Sequence, residues 1–169
     1  MRTFTTHLVQ LYDSSTIYYG VFVPAQEADD FIDNDRRVVC SINNTKGFQG
    51  ALMHDGNGDF FINLNKEKRR ELELKPNEPF EVTLKKDNSK YGAPMPEELE
   101  VLLEQDEEGS HYFHELTPGK QRSLIYLVSK PKQSDTRLRK AIIIVDFLKT
   151  NKGKLDTKAL NQAFKEYPR

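Results

Sequence analysis

Two stretches of the chain repeat one pattern of apolar and polar positions. Residues 18–42 read YYGVFVPAQEADDFIDNDRRVVCSI, and residues 58–84 read GDFFINLNKEKRRELELKPNEPFEVTL. Each runs through a short β-rich segment, one or two helical turns, a polar corner and an alternating strand. Val23, Phe31, Val38, Cys40 and Ile42 answer to Leu64, Leu72, Phe80, Val82 and Leu84. The offset is 41 for the first two pairs (64 − 23, 72 − 31) and 42 for the last three (80 − 38, 82 − 40, 84 − 42), so one inserted residue separates the copies. A strand–helix–strand unit this small cannot bury its own apolar face, so the two copies are expected to close on each other.

Around this repeat the pattern predicts further elements. Thr3–Tyr12 alternates imperfectly and reads as a first strand, with a turn at Asp13–Thr16. β-Branched and aromatic residues make Ile17–Val23 a buried strand. Pro24 stops it and opens a short helix, Ala25–Ile32. A corner at Asp33–Arg36 leads into the alternating strand Arg37–Ile42. Phe48–Met53 is a candidate strand. His54–Asp59 (HDGNGD) predicts a tight hairpin. It shares composition with a calcium loop but lacks the EF-hand spacing and closing Glu. Phe60–Leu64 is the next strand, Asn65 caps a helix over Lys66–Leu72, Lys75–Pro79 turns, and Phe80–Leu84 is the last strand.

The period then changes from 2 to 3.6. Lys85–Pro96 is polar, with one Gly and two Pro, and has the composition of a linker. The expected division is a barrel domain over 1–88, a linker over 89–96 and a helical domain over 97–169. Glu97–Gln105 sets Leu99, Leu102 and Leu103 on one stripe, and Ser110–Leu116 adds Phe113 and Leu116. Thr117–Pro118 caps a helix carrying Leu124, Leu127 and Val128, which Pro131 ends. Ser134 or Asp135 caps the next helix, with Leu138, Ala141, Ile142, Val145 and Leu148 on its apolar side. Asp156–Tyr167 forms the last, with Leu160, Ala163 and Phe164.

Charge narrows the function classes little. The 169 residues carry 25 Lys+Arg against 26 Asp+Glu, a net charge of −1. Residues 1–90 hold 12 basic and 14 acidic side chains, and the remainder 13 and 12. No global field therefore favours nucleic acid or an acidic membrane. A mean hydropathy of −0.70 with patterned apolar positions points to small cores under a charged surface. Cys40 is the single cysteine and sits in the alternating run Val38–Cys40–Ile42, so it reads as a buried small hydrophobe. The opening MRTFTTHLVQLY is too polar for a signal peptide, and the apolar run Ala141–Val145 is too short to span a bilayer. A soluble cytoplasmic protein is expected.

Three motifs in the second half carry a family resemblance. They are PEELEVLLEQD at 96–106, F-x-x-L-T-P at 113–118, and K-x-x-x-T-R-x-x-K from Lys132 to Lys140. In order and spacing they resemble the YdeI/OmpD-associated family, described as bacteriocin-protection proteins. The first half is similar to the domain of unknown function that commonly precedes it, through the Val23–Pro24 step and Leu64–Leu84. The resemblance leaves only the C-terminal end uncovered. It implies an α+β chain: a pseudo-symmetric double-split β-barrel of the AbrB-like, swapped-hairpin type, here built from one chain, followed by a small helical domain. Leu127 stands where an aromatic is usual and Pro131 where Ala is, and Pro131 is expected to displace Lys132.

The sharpest chemistry is the set Lys132, Thr136, Arg137 and Lys140, with Arg139 nearby. On a helix beginning near Asp135, Thr136 and Lys140 share a face at i, i+4. Basic side chains beside a helix N-terminus suit a phosphate or carboxylate, which Arg can grip with two parallel bonds. The competing reading is that Arg137 pairs with an acidic residue and fixes helix packing. His111 and His114 have i, i+3 spacing without further ligands and read as exposed helix histidines, so no metal is expected. No phosphate loop, nucleophile elbow or zinc signature is present, which predicts neither enzyme nor cofactor. The alternative function is an AbrB-like DNA regulator using Lys66, Lys68, Arg69 and Arg70. Against it, the matching segment of the first copy carries Glu27, Asp29, Asp30 and Asp33, so one half would repel what the other attracts. The expectation is a non-catalytic binding or stress-protection protein. It would take a small anionic ligand or a protein partner, at Lys132–Lys140 where helices meet the barrel, as a monomer or weak dimer.

Overall fold

The computed structural model describes residues 1–13, 16–32 and 35–167. Ser14 and Ser15 of the expected turn, and Asp33 and Asn34 of the expected corner, lie outside the described residues. The chain is α+β and divides into two compact units, residues 1–88 and 89–169.

The first unit consists of β1 (Arg2–Thr6), β2 (Leu8–Asp13), β3 (Thr16–Val23), α1 (Ala25–Ala28) running into a 3-10 turn (Asp29–Phe31), β4 (Arg37–Ile42), β5 (Phe48–His54), β6 (Phe60–Asn63), α2 (Lys66–Glu71) and β7 (Phe80–Lys86). The strands form one antiparallel sheet in the order β1-β7-β4-β5-β6-β3-β2. β1 and β2, at opposite ends of that order, are consecutive in the chain and separated only by His7. The His7 carbonyl accepts from the Phe22 amide at 3.1 Å. One bent stretch of chain thus supplies both ends of the sheet, which curls into a barrel. Alternation puts Val21 and Val23, Val38, Cys40 and Ile42, Phe60 and Ile62, and Val82 and Leu84 into a single core.

The strand register shows the twofold relation. Val21 opposes Ile62, its own counterpart at offset 41 (62 − 21). Ser41 opposes Thr83, its counterpart at offset 42 (83 − 41). An antiparallel pair centred on equivalent residues maps onto itself when the copies are exchanged. The copies are also longer than the sequence repeat. β5 pairs with β4 and β6 just as β1 pairs with β7 and β2 with β3. Phe48 opposite Cys40 corresponds to Phe4 opposite Val82, and Leu52 opposite Ile62 to Leu8 opposite Val21.

In the second unit, residues 89–96 are part of the packing: Ala93 is buried, and Tyr91 and Met95 lie against the helical core. The helices are α3 (Glu97–Gln105), α4 (Glu107–Glu115), α5 (Pro118–Ser129), α6 (Ser134–Thr150) and α7 (Thr157–Glu166). α6 packs against each of the other four. Its buried Ala141, Ile144, Val145 and Leu148 join Leu99, Phe113, Leu124, Ile125 and Leu160. The caps differ from expectation in part. Asn65 accepts from the Lys68 amide at 2.7 Å and Asp156 from the Ala159 amide at 2.9 Å. Asp106 accepts from the Gly109 amide at 2.8 Å, which starts α4 three residues ahead of the expected Ser110. Thr117 precedes α5 without a side-chain cap, and α6 begins at Ser134 after Gln133, also uncapped. The Ser134 hydroxyl donates instead to Glu98 Oε1 at 2.6 Å.

Candidate functional site

Arg137 lies in the first turns of α6, and its guanidinium is engaged through Nε and both Nη nitrogens. Nε lies 3.0 Å from each Glu98 oxygen and Nη2 lies 2.8 Å from Oε1. Nη1 donates to the carbonyls of Lys132 at 2.8 Å and Pro131 at 3.3 Å. The Arg137 guanidinium, helped by the Ser134 hydroxyl, holds the Glu98 carboxyl down at about 2. A second tie, Lys149 to Asp106 at 2.7 Å, fastens the far end of α6. Arg137 is therefore a staple between α6 and α3. Lys132 is exposed, and its carbonyl serves the staple. The set Lys132, Thr136, Arg137, Lys140 is not one site.

The structure brings half of that set together with other residues. Thr136 and Lys140 share a face of α6 with Arg139 and line a cleft of about 440 Å³ against α7. The opposite wall is Phe164, Lys165 and Tyr167, and buried Ile143 forms the floor. Lys140 Nζ donates to the Leu127 carbonyl at 3.3 Å and stands 5.6 Å from the Phe164 ring centre. The Arg139 guanidinium donates to the Tyr167 carbonyl and stands 5.6 Å from that ring's centre. Lys165 is exposed. Among the described residues no carboxylate lines the cleft, and none of its three cations is paired with one. Cationic donors over aromatic and aliphatic walls can hold a negatively charged group out of bulk water.

Residues 93–151 match the family model described as "Bacteriocin-protection, YdeI or OmpD-Associated". Residues 4–84 match a domain of unknown function, DUF1905. The two matches stand in the order expected from the resemblance, with the DUF1905 match on the barrel unit and the YdeI/OmpD-associated match on the helical unit. Among curated proteins, none matches the chain. The match to the YdeI/OmpD-associated family takes in α3 to α6, whereas α7 lies beyond residue 151.

On the DUF1905 barrel the basic α2 is only partly open. Lys68 bonds Glu71 at 3.0 Å and stands 5.6 Å from the Phe48 ring centre. The Arg69 guanidinium lies 3.9 Å from the Tyr19 ring centre. Lys66 and Arg70 are exposed and share a cleft with Lys75 but also with Glu73 and Glu78. The equivalent segment of the first copy presents Glu27, Asp29 and Asp30, with Arg2 tied to Asp30 at 2.7 Å. Asp33 lies outside the described residues. Opposite charge at equivalent positions gives nucleic acid no continuous positive face.

The remaining chemistry is quiet. His114 bonds the Tyr91 hydroxyl through Nε2 at 2.8 Å and the Ser110 carbonyl through Nδ1 at 2.7 Å. His111 lies 3.6 Å from Glu115, and both histidines are exposed. No group of three or more His, Cys, Asp or Glu among the described residues is arranged to hold a metal ion. Burial pushes the Cys40 thiol up to about 12. Among the described residues, no helix is long and apolar enough to cross a membrane.

The motif residues fall on different sides of α6, with Arg137 toward Glu98 of α3 and Thr136 and Lys140 toward α7. Thr136, Arg139, Lys140 and Ile143 follow helical spacing, so the α6 wall was legible. Its α7 wall was visible only as a generic amphipathic helix.

Proposed function

We propose that the chain is a non-catalytic binding protein with a protective role, in keeping with the description of its family, and that it takes a small anionic ligand on α6. The observation that carries this reading is the concentration of Arg139, Lys140 and Lys165 around one cleft, with no carboxylate among its described lining residues. Cations left unpaired beside apolar walls keep a standing attraction for an anion. On this reading the protein works in the cytoplasm as a monomer or weak dimer.

A thermal-shift titration with phosphate, sulfate and simple carboxylates tests it. A ligand that binds only the folded chain stabilises it by about 2.7 kcal/mol at a hundredfold excess over its Kd. The expected result is a saturable rise in Tm that is lost in the Arg139→Gln, Lys165→Ala double variant. A flat response to every anion overturns the reading.

A further inference from the structure

We infer that the cleft between α6 and α7 selects organic anions whose charge is carried on a flat apolar group, such as an aryl phosphate or an aromatic carboxylate. This deepens the anion-binding reading above and rests on it.

The walls of the cleft are of two kinds. The cations stand on both helices, Arg139 and Lys140 on α6 and Lys165 on α7. Between them lie two aromatic side chains, Phe164 partly buried in the helical core and Tyr167 37% exposed. Each ring holds one cation over it, 5.6 Å from its centre, so charge and ring are presented together and a flat group would lie against the ring surface left uncovered. Arg139 has five N–H donors and Lys140 three, and each spends one on a carbonyl. The Thr136 hydroxyl has no partner among the described residues and adds a neutral donor on the same face.

Three ligand types would use this surface differently. A bare inorganic anion meets the cations and leaves the ring faces wet. A neutral aromatic covers the rings and leaves three charges unanswered. A ligand with both parts satisfies both walls, and a cleft of about 440 Å³ has room for them. Stacking on an aromatic wall adds about 0.5–1.5 kcal/mol beyond area burial, which reaches about a tenfold gain in affinity at its upper end. Phe164, Lys165 and Tyr167 lie outside the segment matched to the family model.

Isothermal titration of the full chain with phenyl phosphate, inorganic phosphate and benzyl alcohol tests the inference. Phenyl phosphate should bind about tenfold more tightly than either of the others. Phe164→Leu should reduce it to the level of inorganic phosphate. Lys165→Ala, an exposed substitution that leaves the fold intact, should weaken both phosphates about equally. Equal binding of phenyl phosphate and inorganic phosphate would overturn the selectivity while leaving the anion reading in place. Binding of benzyl alcohol as tight as phenyl phosphate, or no binding of either phosphate, would overturn both.

Discussion

Arg137 and Glu98, 39 residues apart (137 − 98), meet as a forked ion pair, with Nε 3.0 Å from both carboxylate oxygens and Nη2 2.8 Å from one of them. The Glu98 side chain is 11% exposed and that of Arg137 26%. The pair ties the start of α6 to α3, and the remaining arginine donors hold the Pro131–Lys132 backbone in place. Arg137→Lys keeps the charge but cannot reproduce the fork or reach both carbonyls. It should lower Tm, and Arg137→Ala should lower it further by stranding Glu98. Lys132→Ala should leave Tm unchanged. Thermal melts of the three variants check the ordering, and a Lys132→Ala loss as large as the Arg137→Ala loss would refute it.

The same pair sets an acid limit. Glu98 has an ordinary value of 4.5 and is held at about 2 in the folded chain, first by Arg137 and then by Ser134. A carboxyl whose folded pKa is depressed contributes stability that is present above 4.5 and lost as pH falls toward 2. Asp106, lowered by Lys149 and the Gly109 amide, acts in the same direction. Between pH 4.5 and 2, Tm of the wild-type chain should therefore fall more steeply than that of Glu98→Gln. Parallel pH profiles for the two would contradict this assignment.

Val21 and Ile62 face each other as counterparts in the two copies, and both are fully buried. Ile62→Ala should cost about 2–5 kcal/mol, because a closed barrel cannot collapse onto the cavity. Combined with Val21→Ala, the two losses should depart from additivity by about 0.5–3 kcal/mol. Urea denaturation of the four-member cycle measures both. Additive losses would mean that the two side chains are not energetically coupled across the β3–β6 pair.

Cys40 is fully buried and its thiol is pushed up to about 12 by that burial. In the native chain it should resist a thiol reagent at pH 8, and its labelling rate should track the unfolded fraction as urea is raised. Rapid stoichiometric labelling without denaturant would place it in a more open environment.

The apolar pattern made the second and third strands of each copy and the intervening turns legible, because Val38–Cys40–Ile42 and Phe80–Val82–Leu84 alternate without interruption. The leading strand of each copy was harder to match. Phe4 and Leu8 correspond to Phe48 and Leu52 at an offset of 44, not 41 or 42, and polar Thr6 corresponds to Gly50 between them. A repeat read at constant offset stops short of that strand, although the barrel depends on it to close. The site was half legible for a related reason. Helical spacing placed Thr136 and Lys140 on one face. No local rule couples Arg137 to Glu98, or says that α7 would lie across that face with Phe164 and Lys165 toward it. Such contacts depend on tertiary packing.

The most direct measurement is an amide chemical-shift titration of the full chain with phenyl phosphate, followed residue by residue. Saturable shifts should be largest at Thr136, Arg139 and Lys140 on α6 and at Phe164 and Lys165 on α7, with Arg137 and Lys132 much less affected. Largest shifts at Lys66–Arg70, or no saturable shift in either helix, would contradict an anion site between α6 and α7.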